Sequence, residues 1–429
     1  MSKAFSLKKL FVSLFKLTAL VQIFFAFFWL FGHLFTYSQE LLSDNYIEAA
    51  KTLKVDDYMG ILYAFLVRIF GHGTFLYIVQ AFSVFLAVFL FCKSIPLQKN
   101  MCVWASLYVL TCPFVLQCTC LVLPHAFVLS VVFLMLSAWR LWKLKSLFVL
   151  NLLLGFLNPD CTFLSLMALL PICILSLVKK KKHALFFLLS VLAAFIITYE
   201  VNNFISVPYL YGNAEKSISL LILQRISLGH LNEASETIST YYGSDFYADM
   251  LSADKVPENL FRVFACNFEK AFGGEAAESL YTYLSKLSLA KGPGYYGRDI
   301  IKDFLLYFFT PFSAIFVCLN DISGTLIFAP LYSFGSGMNQ TFTKLYILIH
   351  TFMAAVFILL MLVHLIKKTW IKKKGLRYKG MIFYFWFLMA VNAAYGALVC
   401  LRGYDYRNAL FILTAFIMIP ILHFEGDED

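Results

Sequence analysis

Charge is scarce in this sequence: only 14% of its 429 residues are Asp, Glu, Lys or Arg. Soluble globular chains carry about a quarter, so water is not the main solvent of a chain composed this way. Long polar stretches are also missing, apart from one between Ser206 and about Lys302. Cysteine offers no framework. The ten cysteines scatter mostly through apolar runs, Cys266 being the one in an evidently soluble stretch, and neither a disulfide pattern nor zinc spacing emerges. Cys118 and Cys120, at the end of an apolar run, read as small apolar filler. A clear small-x-small cleavage site is absent from the first apolar run, Phe11 to Phe35, which is therefore expected to stay as a first span rather than leave as a signal.

What is present is apolar. Hydrophobic residues make up 61% of the chain, Phe alone contributes 47, and the mean hydropathy is +0.77. These values require a bilayer as solvent. The formal charge of +10 raises the question of nucleic acid, but its distribution answers it. The basic residues cluster as Lys8-Lys9, Arg140 to Lys145, Lys179 to Lys182, Lys367-Lys368 and Lys372 to Lys374, each beside an apolar stretch. Such clusters stay on the cytoplasmic side during insertion, so they set topology and point to no nucleic-acid partner.

The expected fold is an all-α polytopic membrane protein of about ten transmembrane helices with a large external loop subdomain. With the N-terminus in the cytoplasm, span one exits near Phe35, and Thr36 to Asp57 form a polar external segment. An amphipathic piece, Tyr58 to Phe70, approaches the membrane, and span two, Thr74 to Phe91, returns to Lys93 to Lys99. Spans three to seven are Met101 to Leu121, Pro124 to Trp139, Ser146 to Leu157, Thr162 to Val178 and Ala184 to Ile205. Span five is short and borrows from Arg140 to Lys145, whose charged heads can snorkel; it stops at Asn158-Pro159-Asp160. Residues 1–205 thus form an N-terminal membrane region, 206–342 an external subdomain and 343–429 a C-terminal membrane region of about three spans.

Phe304 to Leu331 is apolar enough to be a span, but crossing there would put Lys367 to Lys374 outside. It is therefore expected at the outer membrane face, interrupted by Pro311, Asn320, Asp321 and Gly324. Thr343 to Ile366, Met381 to Leu401 and Ala409 to Phe424 complete the spans, leaving the C-terminus cytoplasmic in a multi-pass protein of the cell membrane.

Glu40, Asp44, Glu48, Asp56 and Asp57 all fall just after span one, which is unusual in so apolar a chain. If Ser43 caps a helix, Asp44 and Glu48 share one face near the membrane surface. A carboxylate there can act as general base toward an acceptor hydroxyl or help hold a divalent metal ion, or it can simply solvate a loop. A lipid-linked substrate presents its reactive phosphate at this depth.

These residues carry a resemblance. Tyr37 to Leu53, YSQELLSDNYIEAAKTL, resembles the first external loop of membrane glycosyltransferases of the GT-C fold, which places an acidic residue and a nearby tyrosine after the first span; Asp44 and Tyr46 match that pair. Asp56 to Gly71, DDYMGILYAFLVRIFG, is similar to the family's juxtamembrane segment, although without its early prolines. Asn158-Pro159 resembles the polar-proline end of a middle span, and RGYDYRN, Arg402 to Asn408, the Arg-Tyr turn before the last span. Many relatives carry another acid at the outer end of span three or four, where this chain has Leu123, Pro124 and His125. His125 is either a substitute ligand or a hydrogen-bonded core histidine.

The resemblance implies glycosyl transfer from a polyprenyl-phosphate-linked sugar donor to a glycan, lipid or protein acceptor on the non-cytoplasmic face. It makes Asp44 the base, Asp57 and Glu48 the reserves and Asp160 a more distant candidate. Arg402 and Arg407 would hold the lipid phosphate beside Tyr404 and Tyr406, with an interfacial anchor as the alternative role. Arg298 and Lys302 are weaker candidates of the same kind, and Tyr241-Tyr242 and Tyr295-Tyr296 offer faces for sugars or for a small core. A transporter or flippase for a lipid-linked or small polar substrate is the alternative, and would place charges or broken helices near the bilayer midplane. A third reading is an inactive assembly protein of the same fold.

Overall fold

The computed structural model of the chain describes residues 7–33, 41–55, 59–95, 97–141, 143–159, 183–206, 337–366 and 410–425, with isolated positions 279, 282, 301 and 305. Among the described residues there are eleven helices and no strand: α1 (Leu7–His33), α2 (Leu41–Thr52), α3 (Ile61–Phe70), α4 (Thr74–Ser94), α5 (Lys99–Leu110), α6 (Pro113–Thr119), α7 (His125–Arg140), α8 (Leu144–Leu157), α9 (His183–Ile205), α10 (Gly337–Ile366) and α11 (Leu410–Glu425). Three stretches, Leu7–Phe28, Thr74–Ser94 and Leu345–Ile366, are long and apolar enough to cross a bilayer. The bent pair α5 and α6 makes a fourth if it counts as one span. The expected spans over 162–178 and 381–401, the subdomain over 206–302 and the surface element over 304–331 lie outside the described residues, isolated positions apart.

The helices expose side chains that water would not tolerate and lipid would. Phe24 and Phe27 of α1, Phe75, Ile78 and Phe82 of α4, and Phe352 and Leu359 of α10 all point outward. With hydrocarbon outside, association rests on close packing and interhelical hydrogen bonds rather than on escape from water. Packing is aromatic where α1, α10 and α11 meet. The Phe11 ring lies 5.3 Å from Phe357 and 4.3 Å from Phe424, and each such pair contributes about 0.5–1.5 kcal/mol beyond area burial.

Ring and hydrogen-bond pairs fix the helix directions. Along α1, Phe11, Gln22 and Phe25 meet Phe357, His350 and Phe342 of α10 in reverse order, so the two run antiparallel. Phe15 faces Tyr108 and Gln22 faces Thr111, so α5 runs with α1. Ser83 and Phe91 of α4 meet Ser130 and Phe133 of α7, making those two parallel to each other. Near the C-terminal ends of α8 and α9, Asn202 Nδ2 donates to the Gly155 carbonyl at 3.1 Å. The C-terminal end of α11 returns to the start of α1 through Phe424 and to the end of α10 through His423.

These directions place many of the basic residues at one end, although Lys51, Lys54 and Arg68 lie with α2 and α3 at the other. Lys8, Lys9, Lys93, Lys99, Arg140, Lys143 and Lys145 come from helix ends that gather at the N-terminal, or near, end of the bundle. The acidic helix α2 and its partner α3 sit at the opposite, far end.

Two expectations are corrected. Met101 to Leu121 is not one straight span: α5 ends at Leu110 and α6 departs at 73°. Pro113 is the reason, because its ring would strike the Val109 carbonyl and it lacks an N–H to continue the ladder. Cys112, the residue before it, is accordingly extended (φ −60°, ψ 125°), and Pro113 opens α6 at the position prolines favour. Second, Ser43 is not a cap. Helix α2 already starts at Leu41, which places Ser43 inside the first turn together with Asp44.

Candidate functional site

Helix α2 lies within the segment expected to be a polar loop, and its residues divide cleanly between two faces. Tyr46, Ala49 and Ala50, spaced three and four apart, are buried, whereas Asp44, Glu48, Lys51 and Thr52 are exposed. Asp44 stands in the first turn, where a negative charge is favoured by the helix dipole. Glu48, one turn on, accepts from Lys51 Nζ at 3.0 Å in an exposed pair that contributes little to stability. The expected sharing of one face by Asp44 and Glu48 is what the structure shows.

The buried face of α2 is held from below. Tyr46 meets Tyr63 of α3 edge to face, with ring centroids 4.9 Å apart. Tyr63 is fully buried, and its hydroxyl donates to Gln80 Oε1 of α4 at 3.3 Å. Gln80 Nε2 in turn donates to the carbonyls of Thr119 and Leu121, each at 3.0 Å. The Thr119 carbonyl closes α6 and the Leu121 carbonyl lies in the buried stretch that leads to α7, so neither has a next helical turn to supply its donor. Gln80 thus supplies the donors that let the chain turn inside the apolar bundle. At the start of α3, Gly60 packs against the last carbonyls of α8, those of Phe156 and Leu157, at a separation no side chain would permit.

His125 opens α7 four residues after Leu121 and is half-buried. Phe127, two residues on, lies 6.1 Å from the Tyr63 ring. The structure therefore brings α2 and the first turn of α7 against one tyrosine, through Tyr46 and Phe127. Asp57, Asp160, Arg402, Tyr404, Tyr406 and Arg407 lie outside the described residues, as do Arg298 and Lys302.

A second polar group lies inside the bundle, at the break between α5 and α6. Gln22 Nε2 donates to His350 Nδ1 at 2.6 Å, which leaves the proton on Nε2, 3.4 Å from Cys112 Sγ. His350 is thereby a neutral imidazole with both nitrogens engaged. Thr111 Oγ1 lies 3.4 Å from Gln22 Oε1 and donates to Leu107 O at 2.7 Å. The Tyr346 hydroxyl donates to the Thr111 carbonyl, one of those released by the break. Within α6, Gln117 is 2% exposed, and neither atom of its amide has a hydrogen-bond partner among the described residues.

Depth connects these two groups. Gln22 is six residues from the far end of its span, His350 five and Gln80 six, or about 8–9 Å at a rise of 1.5 Å per residue. Helix α6, bent away from α5, runs crosswise between Gln22 and Gln80 at that level. The outcome is an uncharged polar layer beneath the acidic helix. Sequence reading passed over it, although two signals were available: isolated glutamines within apolar runs at Gln22 and Gln80, and a proline in mid-span at Pro113.

Comparison with protein-family models, with curated proteins and with solved structures finds no match for this chain.

Proposed function

We propose that this chain is a multi-pass glycosyltransferase of the cell membrane with about ten spans and both termini in the cytoplasm. It moves a sugar from a polyprenyl-phosphate donor to a glycan, lipid or protein acceptor on the non-cytoplasmic face. The observation that carries the reading is α2: a helix docked at the far end of the bundle through Tyr46, Ala49 and Ala50, which leaves Asp44 and Glu48 facing outward on the other side. Reactive groups of a lipid-linked donor sit at that level.

In the proposed step Asp44 takes the proton of the acceptor hydroxyl as its oxygen bonds to the sugar's anomeric carbon. The bond from that carbon to the phosphate oxygen breaks, and the electron pair leaves with the polyprenyl phosphate. Arg402 and Arg407 are proposed to receive that charge, with Tyr404 and Tyr406 beside them and Asp57, Asp160 and His125 as further substrate-side groups. With waters and a substrate phosphate, Asp44 and Glu48 would supply part of the oxygen shell of a divalent cation. Among the described residues no third His, Cys, Asp or Glu joins them, and no step is routed through a metal.

The test is transfer by the purified chain in lipid nanodiscs, offered labelled polyprenyl-phosphate sugars and candidate acceptors. Asp44→Asn is expected to lower kcat by about 100-fold or more. Transfer that survives this substitution unchanged would sink the base assignment.

A second reading, a transporter or flippase for a lipid-linked or small polar substrate, is favoured by the broken span and by the partnerless amide of Gln117. Saturable uptake into liposomes, with no turnover of any donor, is the result that would select it.

A further inference from the structure

We infer that Tyr63 and Gln80 are positioning residues for the far-end reaction, a role that rests on the function proposed above. They form a brace that fixes the acidic helix α2 relative to the corner where His125 begins α7. The brace is a continuous chain of contacts. Tyr46, two residues from Asp44, packs edge-on against Tyr63; Tyr63 donates to Gln80; and Gln80 donates twice to the backbone at Thr119 and Leu121. From Leu121 the buried chain leads directly into α7 at His125.

Each link is fixed by burial and by hydrogen-bonding capacity. Tyr63 and Gln80 are both fully buried. Gln80 has two amide protons and uses both, while its carbonyl accepts the tyrosine hydroxyl, so no rotation of its amide keeps all three bonds. Turning it over would oppose acceptor to acceptor at Thr119 and Leu121. The Tyr63 ring, in turn, packs edge to face against both Tyr46 and Phe127. Neither residue reaches the exposed face of α2, so neither touches substrate; both act through the place they give Asp44. The carboxylate itself has no such support, because it stands on the solvent side of a twelve-residue helix.

Transfer kinetics and backbone hydrogen exchange of Tyr63→Phe and Gln80→Met, in nanodiscs, test the brace. Tyr63→Phe keeps the ring contacts with Tyr46 and Phe127 and removes only the hydroxyl, so it remains informative if Gln80→Met fails to fold. The expected result is a fall in kcat of about 10- to 100-fold, with KM for the polyprenyl-phosphate donor unchanged and faster exchange across residues 44–50. The double variant is expected to be no slower than the slower single variant. Wild-type kcat in Tyr63→Phe, or a rise in KM at constant kcat, would overturn the inference. If the wild-type chain turns over no donor, the proposed function fails and exchange alone judges the brace: faster exchange of α2 in Tyr63→Phe upholds its structural part, and unchanged exchange overturns it.

Discussion

Replacing Gly60 by alanine tests the docking of α3, on which α2 leans. The added methyl would lie 2.2 Å from the Leu157 carbonyl oxygen, 2.3 Å from its carbonyl carbon and 2.3 Å from the Phe156 carbonyl oxygen. All three are backbone atoms at the end of α8, so no side chain can swing away. Ordinary contact begins at 3.4 Å, and the difference from 2.2 Å requires α3 and α8 to separate by about 1.2 Å. Overpacking of this kind costs typically about 1–3 kcal/mol and occasionally more. With backbone on one side, the upper part of that range is expected, a loss on the order of 2–3 °C in melting temperature for a chain of this length. The assay is thermal unfolding of the detergent-purified chain, with Gly73→Ala as control. At Gly73 a methyl group meets nothing within 4 Å and φ is −121°. Its cost is expected to stay within about 1 kcal/mol as an ordinary N-cap change. A Gly60→Ala protein that melts with the wild type, or a Gly73→Ala protein that falls as far, would refute the reasoning.

Three further outcomes are expected. Gln22→Leu leaves His350 Nδ1 without its donor in a buried site and should cost about 1–3 kcal/mol, whereas Gln22→Leu combined with His350→Leu should cost less than the sum of the two single changes; a double-mutant cycle of thermal unfolding measures this. Tyr346→Phe strips the donor from the Thr111 carbonyl and should raise hydrogen exchange over residues 111–119 while leaving α1 protected. Asp44→Asn and Glu48→Gln, both on the exposed face of α2, should each keep melting stability within about 0.5 kcal/mol of wild type, so that any loss of transfer they cause is chemical rather than structural.

Much of the membrane architecture was legible in the sequence because a bilayer imposes a simple rule on the chain. The apolar runs that became α1, α4 and α10 had to be helical, since helices satisfy their own backbone groups and hydrocarbon offers no other partner. The basic residues Lys8-Lys9, Lys93, Lys99, Arg140, Lys143 and Lys145 lie at or beside the ends of α1, α4, α5, α7 and α8, where apolar runs stop. The sharing of a face by Asp44 and Glu48 followed from their spacing alone, given a helix there. Ser43 is inside α2 rather than its cap, because helix boundaries depend on flanking geometry that the local residues do not determine.

The polar interior was not legible in that way. A glutamine in an apolar run is equally consistent with a lipid-facing tolerance and with a buried bond, and the partners of Gln80 are backbone carbonyls some 40 residues away, at Thr119 and Leu121. Backbone carbonyls carry no sequence signature. Only once Pro113 had broken the third span did those carbonyls need a donor, and only the packing of α4 beside α7 put Gln80 within reach. Likewise, the sequence alone determined that five acids follow the first span, but the docking of Tyr46 against Tyr63 decided which side of α2 Asp44 and Glu48 face. Hydropathy and charge act locally, residue by residue, and so survive in the sequence as patterns. The meeting of Tyr46 and Phe127 at Tyr63 depends on pairwise contacts between distant segments, and those exist only after the chain has packed.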